Sequence, residues 1–122
     1  MNKFVGKHVV IAALSGLVGY AASAQAADVV GNAKAGQDKV AMCIGCHGIP
    51  EYRTAYPEVF RVPKIGGQNQ AYLENALHAY KKGDRHFDTM RAIATSLSDQ
   101  DIADIAAYYA AQTADSKNNP NK

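Results

Sequence analysis

Two cysteines and a histidine stand together as Cys43, Cys46 and His47. On a helical turn, positions i, i+3 and i+4 lie on one face, so both sulfurs and the imidazole can address one flat surface. This C-x-x-C-H spacing is the attachment signature of a c-type haem. The two thiols would form thioether bonds to the haem, and His47 would bind its iron. The motif therefore predicts one covalently attached haem c.

Three other interpretations of this motif have less support. A thioredoxin-type redox pair is typical of a βαβ unit, which the sequence does not indicate. A structural zinc site needs four ligands, and the chain has no cysteine beyond these two. A disulfide between Cys43 and Cys46 suits an oxidising compartment, but it leaves His47 without a role.

A second axial ligand must come from elsewhere in the chain. Met90 lies 43 residues beyond His47, in a predicted loop after a helix, and can reach the opposite face of a haem. A thioether ligand favours the ferrous state and raises the reduction potential. Met42 adjoins Cys43 on the same side of the haem as His47, so it cannot reach the opposite face. The alternatives are a Met90 that only packs in the core and a ligating His86, which would lower the potential.

Pro63 is the candidate for a supporting contact to His47. A ligating histidine usually donates its other ring N–H to a carbonyl or carboxylate, which fixes the orientation of the ring. The carbonyl of Pro63, in the loop after the motif, is available for this. The alternative is that Pro63 only shapes the loop.

The elements that must position these residues are predicted to be helices. A short helix covers Ala33 to Met42 and leads into the motif, and Gly48 to Pro63 is irregular. Two amphipathic helices follow, with no strand-like alternation anywhere. Their apolar stripes are Leu73, Ala76, Leu77 and Tyr80 in one helix, and Ile102, Ile105, Ala106 and Tyr109 in the other. Gly83 would end the first, and a capping box from Ser98 to Asp101 would begin the second. A further short helical piece is expected from Arg91.

The first 26 residues have the pattern of a secretory signal: Lys3 and Lys7, a 14-residue apolar run from Val9 to Ala22, and Ala24-Gln25-Ala26. The run is shorter than the roughly 20 residues that a membrane-spanning helix needs. We expect a signal peptide at 1–26, a haem domain at 27–112 and a polar tail at 113–122. An uncleaved membrane anchor is the alternative. The expected location is the periplasm, with no membrane span after cleavage.

The charge of the chain excludes one class of partner. Two of its 13 basic residues and none of its 11 acidic residues lie in the signal, so the remainder is neutral. Nucleic acid binding therefore has no electrostatic support. Basic residues exceed acidic ones by three between Arg61 and Arg91, whereas Ala92 to Asp115 holds four acids and no base. The basic stretch would steer acidic partners, or it is simply a mixed solvated surface.

The chain resembles the class I c-type cytochromes, in particular the short bacterial carriers and single halves of the dihaem bacterial cytochromes. The blocks that carry the resemblance are Ala35-Gly36, CIGCH, PKIGGQ at 63–68, YLENALHAYKKGDR at 72–85, Met90, and LSDQDIADIAAYYAAQ at 97–112. It implies an all-α fold in which three main helices and long loops enclose one covalent haem.

The resemblance also implies roles for individual residues. Cys43 and Cys46 would hold the haem, and His47 and Met90 would bind its iron. The Pro63 carbonyl would accept a hydrogen bond from His47, and Ile65 would pack on the haem. Gly36 lets the first helix cross the last one near Tyr109. The segment Ile49 to Val62 departs from the family, which often has a small loop rich in Gly and Asn there.

The function expected from these residues is electron transfer without chemistry on a substrate. Transient redox partner proteins would dock at an exposed haem edge, with a dehydrogenase or respiratory complex as donor and an oxidase or reductase as acceptor. One alternative is a haem protein with a labile sixth position that binds a small gas or peroxide. Another is an electron-accepting subunit of a periplasmic dehydrogenase.

Overall fold

The computed structural model describes residues 29–56 and 58–116. The predicted signal at 1–26 and residues 117–122 of the predicted tail lie outside these ranges. Within them, no helix combines the length and the hydropathy needed to cross a membrane.

The described part of the chain folds into five helices and one very short antiparallel ladder. They are α1 (Ala33–Lys39), α2 (Ala41–His47), β1 (Arg53–Thr54), β2 (Phe60–Arg61), α3 (Gln70–Lys82), α4 (Asp88–Thr95) and α5 (Asp99–Ala110). The predicted helical class is confirmed. The expectation that no strand forms was wrong for β1 and β2, which pair Arg53 with Arg61 and Thr54 with Phe60.

The single helix predicted from Ala33 to Met42 is divided at Val40. Asn32 caps α1, with its side-chain oxygen accepting from the backbone N–H groups of Lys34 and Ala35 at 2.9 and 3.1 Å. Val40 ends α1 and begins α2, and its side chain is fully buried in the core. Val40 has φ of −90° and ψ of 7°, which depart from helical values and separate α1 from α2.

Helix α5 is the centre of the fold. Its predicted stripe, Ile102, Ile105, Ala106 and Tyr109, is buried. Ala103, Asp104 and Ala107 are also buried, because α1 packs against one side of α5 and α3 against another. The predicted capping box is present: the Ser98 hydroxyl accepts from the Asp101 N–H, and the Asp101 carboxylate accepts from the Ser98 N–H.

Helices α1 and α5 cross in direct backbone contact. A Cβ atom at Gly36 would stand 2.1 Å from the carbonyl oxygen of Asp104 and 2.8 Å from the Cβ of Tyr108. The crossing expected near Tyr109 is present, and its contacts at Gly36 are with Asp104 and Tyr108. Lys39 ties the same two helices together, with its Nζ 2.7 Å from both Asp101 and Asp104.

Helix α3 ends at Gly83, as the sequence predicts. Asn69 caps its first turn by accepting from the Tyr72 N–H at 3.0 Å. Gly83 ends the helix in the left-handed conformation, with φ of +91°, which favours glycine. Leu73 is buried against α5, while Ala76, Leu77 and Tyr80 are partly buried.

Candidate haem site

A cavity of about 560 Å³ opens between α2, α3, α4 and α5. All four residues of the predicted α3 stripe line it, and Ile105, Ala106 and Tyr109 line it from α5. The two amphipathic helices therefore turn their apolar faces towards this cavity as well as towards each other. Its lining is mostly apolar, as is usual where a protein holds a cofactor.

The motif residues Cys43, Cys46 and His47 all lie on α2 and all line the cavity. Cys43 and Cys46 are partly buried free thiols, so they form no disulfide with each other. Burial, followed by the nearby Cys46, raises the pKa of the Cys43 thiol. The helical spacing places both sulfurs and the imidazole on one side of the cavity, as the sequence predicted.

A hydrogen bond to Pro63 positions the ring of His47. Its Nδ1 atom lies 2.8 Å from the carbonyl oxygen of Pro63. Since a carbonyl can only accept, Nδ1 carries the proton and Nε2 retains the lone pair that binds a metal. Burial lowers the pKa of His47, and the hydrogen bond to Pro63 acts in the opposite direction. The net effect favours the neutral imidazole, the form that ligates metals.

Met90 lies in the first turn of α4, whereas the sequence predicted a loop that ends at Met90 and a helical piece from Arg91. The helix begins earlier, with Phe87 at the N-cap and the acidic side chain of Asp88 in the first turn, where it suits the positive end of the helix dipole. The Arg91 N–H bonds to the Phe87 carbonyl at 3.0 Å. Met90 and Ile93 both line the cavity from this helix.

The other candidate ligands are placed differently. His86 lines the cavity from the loop before α4 and is exposed, and Met42 lines it with 57% of its surface exposed. His78 does not line the cavity; its Nδ1 lies 4.0 Å from an Asp99 oxygen, on the side that faces α5. Four candidate ligands thus reach this cavity: His47, Met90, His86 and Met42.

The divergent segment between Ile49 and Val62 contributes part of the wall. Thr54, Phe60 and Val62 line the cavity, and the Phe60 ring packs on the Phe87 ring with centroids 5.3 Å apart. Sequence reasoning missed this contact, because no periodicity links two isolated aromatic residues 27 positions apart. It also missed Tyr72 and Arg85, which line the cavity mouth. Ile65, which the resemblance expects to pack on the haem, lines the cavity and packs against the core.

These residues fit a haem group on three counts. The thiols and imidazole of α2 share one face, the remaining wall is mostly apolar, and the cavity is of the size that proteins use for cofactors. In addition, the Tyr109 hydroxyl is buried and lines the cavity, yet it has no hydrogen-bond partner among the described residues. A buried polar atom without a partner is unusual in a finished core, but it is expected where a ligand completes the wall.

Comparison with known proteins gives a consistent result. Cytochrome c4 of Pseudomonas aeruginosa is 39% identical over 112 residues, which are 92% of this chain and 49% of that protein. Cytochrome c-554(548) of Halomonas halodenitrificans is 42% identical over 85 residues, 67% of this chain and 98% of that protein. The chain thus spans about half of the cytochrome c4 relative and nearly all of cytochrome c-554(548).

The fold comparison agrees with the sequence comparison. The crystal structure of reduced recombinant cytochrome c4 from Pseudomonas stutzeri aligns with a TM-score of 0.56 at 38% identity, covering 69% of this chain and 47% of that one. The family Cytochrome c matches residues 33–111, from the start of α1 to the end of α5. The chain therefore belongs to the cytochrome c family, as a class I c-type cytochrome with the predicted fold, a family in which haem c is attached covalently.

Proposed function

We propose that this chain is a periplasmic single-haem carrier that shuttles electrons between redox proteins, with His47 and Met90 as the axial ligands of the iron. The observation that carries the proposal is that His47 on α2 and Met90 on α4 line one cavity. The Met90 thioether is partly buried there, whereas the competing His86 and Met42 are exposed at the mouth.

Different residues attach the cofactor, bind its iron and shield it from water. Cys43 and Cys46 attach it, and His47 binds the iron through Nε2, since Pro63 engages Nδ1. Ile65, Leu73 and the other apolar side chains of the wall exclude water from it. The bound haem supplies one-electron exchange at its iron.

Two ligands from the protein suit a carrier better than a catalyst. With His47 and Met90 both bound, no ligand enters or leaves when the oxidation state changes. The Pro63 carbonyl keeps the imidazole from rotating, and α4 fixes the backbone of Met90. Little of the protein then needs to reorganise during electron transfer, and a transient partner needs only to reach the cavity mouth.

The proposed location rests on the sequence of the first 26 residues. Their charged, apolar and small-residue regions act as a signal that directs export, and the haem domain at 27–112 with the tail at 113–122 forms the mature protein. Mass spectrometry of the purified holoprotein tests this. We expect a chain that begins at Ala27; a mass that includes residues 1–26 would contradict cleavage and favour a membrane anchor.

The test of the axial ligands is an optical spectrum of the ferric holoprotein, produced in cells that attach c-type haem. We expect the weak long-wavelength band of an iron–thioether bond, and we expect its loss in Met90→Ala. Met42→Ala is the matched control, because Met42 lines the same cavity but lies exposed on the motif side; it should keep the band.

Other spectra would contradict specific parts of the proposal. A low-spin spectrum that lacks the iron–thioether band, and that becomes high-spin in His86→Gln, would assign the sixth ligand to His86. A high-spin spectrum of the unmodified protein would mean an open sixth position, and electron carriage by a His47/Met90 pair would be wrong.

A further inference from the structure

The Phe60 ring packs on the Phe87 ring, and this contact joins the divergent segment to the helix that carries Met90. The two ring centroids lie 5.3 Å apart, with their planes tilted by 47°, an arrangement in which aromatic pairs attract each other. Phe60 lies on β2, and Phe87 is the N-cap of α4, three residues before Met90. All three side chains line the haem cavity. The aromatic contact therefore lies close to the proposed sixth ligand.

The first turn of α4 has few other contacts to hold it. The N-cap side chains of α1, α3 and α5 accept hydrogen bonds from the first turns of those helices, whereas the side chain of Phe87 has no atom that can do so. Asp88 and Thr89 are exposed, and Ala94, the buried residue of α4, lies near its C-terminal end. Because neither a side-chain cap nor burial secures the first turn, the packing of Phe87 on Phe60 is well placed to fix its position.

Phe60 can act as a support because the hairpin formed by β1 and β2 has contacts of its own. The two strands pair Thr54 with Phe60. The Thr54 hydroxyl lies 3.1 Å from the carbonyl oxygen of Glu58 and 3.3 Å from that of Phe60, and it can donate to either. Arg61, the next residue of β2, forms an ion pair with Glu51 on the opposite side of the hairpin. The backbone that carries the Phe60 ring is therefore held in place.

The same hairpin leads to the contact that positions His47. The Val62 N–H bonds to the Tyr52 carbonyl at 3.0 Å, which continues the pairing beyond β2. The next residue is Pro63, whose carbonyl oxygen lies 2.8 Å from Nδ1 of His47. The stretch from Phe60 to Pro63 thus contacts His47 at one end and the start of α4 at the other.

We propose that Phe60 is a positioning residue: by packing on Phe87 it holds α4 so that the Met90 thioether stays on the haem iron. The divergent segment thereby supports Met90, while the residue that follows it supports His47. The inference rests on the proposed His47/Met90 ligation and adds the contact that keeps the sixth position closed to outside ligands. A closed sixth position separates an electron carrier from a haem protein that binds a small gas or peroxide.

The test is the binding of imidazole to the ferric holoprotein, where imidazole must displace Met90 and abolish the iron–thioether band. Phe60→Ala removes the contact with Phe87. We expect it to bind imidazole about twofold to tenfold more tightly, the change that corresponds to the loss of one aromatic pair. Phe60→Tyr keeps the ring and should bind imidazole as the unmodified protein does. Val59→Ala is the matched control, because Val59 precedes Phe60, is 71% exposed and does not line the cavity; it should leave the affinity unchanged.

The rate of ligand exchange distinguishes positioning of Met90 from a narrowing of the cavity mouth. At high imidazole concentration the rate levels off at the rate at which Met90 leaves the iron, which does not depend on how easily imidazole enters. We expect this limiting rate to rise in Phe60→Ala. Hydrogen exchange of the Arg91 N–H, which bonds to the Phe87 carbonyl at 3.0 Å, should also quicken.

A second variant tests whether Phe60 acts through Phe87. Phe87→Ala should show the same changes in imidazole affinity and in limiting rate. Adding Phe60→Ala to Phe87→Ala should then have little further effect, because a double-mutant cycle isolates the interaction between two residues. Fully additive effects of the two substitutions would contradict a role of Phe60 through Phe87.

Other outcomes separate this inference from the ligand assignment on which it rests. If Phe60→Ala raised the affinity but changed neither the limiting rate nor the Arg91 exchange, Phe60 would only narrow the mouth, and the positioning role would be wrong. If Phe60→Ala bound imidazole no more tightly than Val59→Ala, while the unmodified protein showed the iron–thioether band, this inference would fail and the His47/Met90 assignment would stand. Absence of the band from the unmodified protein would overturn both.

A milder substitution serves if Phe60→Ala does not mature with haem. Phe60→Leu keeps an apolar side chain but removes the ring, so the aromatic pair with Phe87 is lost. It should show a smaller change in imidazole affinity and in limiting rate, of the same sign. Values equal to those of Val59→Ala would again contradict the positioning role.

Discussion

Gly36 lies so close to Asp104 that a Cβ atom at Gly36 would stand 2.1 Å from the Asp104 carbonyl oxygen. The obstacle is backbone of α5, which is held by its own helical hydrogen bonds and cannot move aside as a flexible side chain would. Helix α1 can therefore approach α5 this closely only if residue 36 has no side chain. That approach also brings Lys39 and Val40 into their contacts with α5 and the core.

We expect Gly36→Ala to destabilise the holoprotein, although alanine is the better helix former. The gain in helix propensity is about 1 kcal/mol, whereas separating two packed helices costs about 3 kcal/mol or more, the upper range of overpacking effects. Chemical denaturation followed by circular dichroism measures the difference. Gly45→Ala is the control, because a Cβ at Gly45 meets no atom within 4 Å. Equal stability of the two variants would show that the helices separate at little cost.

Lys39, Asp101 and Asp104 make stability depend on pH. The hydrogen bond from Lys39 is the largest of the effects that hold the pKa of Asp104 and of Asp101 below the usual value, and Asp104 also accepts from the Asn32 N–H. A carboxyl whose pKa is lowered on folding stabilises the protein above its unfolded pKa of about 3.9, and this contribution is lost as the pH falls through the folded value.

We therefore expect Asp104→Asn to be less stable than the unmodified protein at pH 7, by about 2 kcal/mol for the loss of charged hydrogen bonds. The gap should narrow as the pH falls below about 3.9, because the Asp104 carboxyl of the unfolded chain then takes up a proton that the folded protein, with its lowered pKa, still resists. Denaturant titrations at several pH values give the free energy of unfolding. Asp38→Asn, which changes an exposed acid that forms no described ion pair, should show no gap. If the difference in the free energy of unfolding between Asp104→Asn and the unmodified protein were the same at all pH values, the charge of Asp104 would not be its cause.

Local signals in the sequence were sufficient for α3 and α5. Stripes such as Leu73–Leu77 and Ile102–Ala106 repeat at helical spacing, and Gly83 and Ser98 mark ends by local backbone chemistry. The spacing of Cys43, Cys46 and His47 identified the cofactor, because the three residues lie within about one helical turn. Each of these signals depends on residues only a few positions apart.

The features that were missed depend on contacts between distant residues. The start of α4 at Asp88 accompanies the packing of Phe87 on Phe60, and Phe60 lies in the short ladder that the sequence did not indicate. The break at Val40 depends on where the core lies. The Arg85 guanidinium lies over the ring of Tyr80 on α3, and nothing in its own surroundings in the sequence indicates that it turns towards the cavity. Periodicity cannot predict such contacts.

The positive side chain of Lys64 at the cavity mouth gives a test of electrostatic steering. Lys64 lines the cavity mouth and lies 4.0 Å from a Glu51 oxygen, whereas Lys81, in the same basic stretch, lies 3.1 Å from an Asp99 oxygen and faces α5. We expect oxidation of the ferrous protein by the anion ferricyanide to slow with rising ionic strength, because salt screens the attraction. Lys64→Gln should reduce both the rate and its salt dependence. Lys34→Gln, on the exposed side of α1, should leave them unchanged, and equal effects of the two variants would contradict steering at the mouth.

The capping box of α5 gives the last prediction. The Ser98 hydroxyl accepts from the Asp101 N–H at 3.1 Å and donates to the Asp101 carboxylate at 2.6 Å. Ser98→Ala removes this cap, and we expect a loss of about 1 kcal/mol in the free energy of unfolding. Ser98→Thr retains the hydroxyl and should recover most of the loss. Loss of the cap should quicken backbone hydrogen exchange first in the opening turn of α5. The haem spectrum should not change, because the cavity residues Ile105, Ala106 and Tyr109 lie further along the helix. If Ser98→Ala altered the spectrum, the start of α5 would be coupled to the cavity more directly than its capping contacts imply.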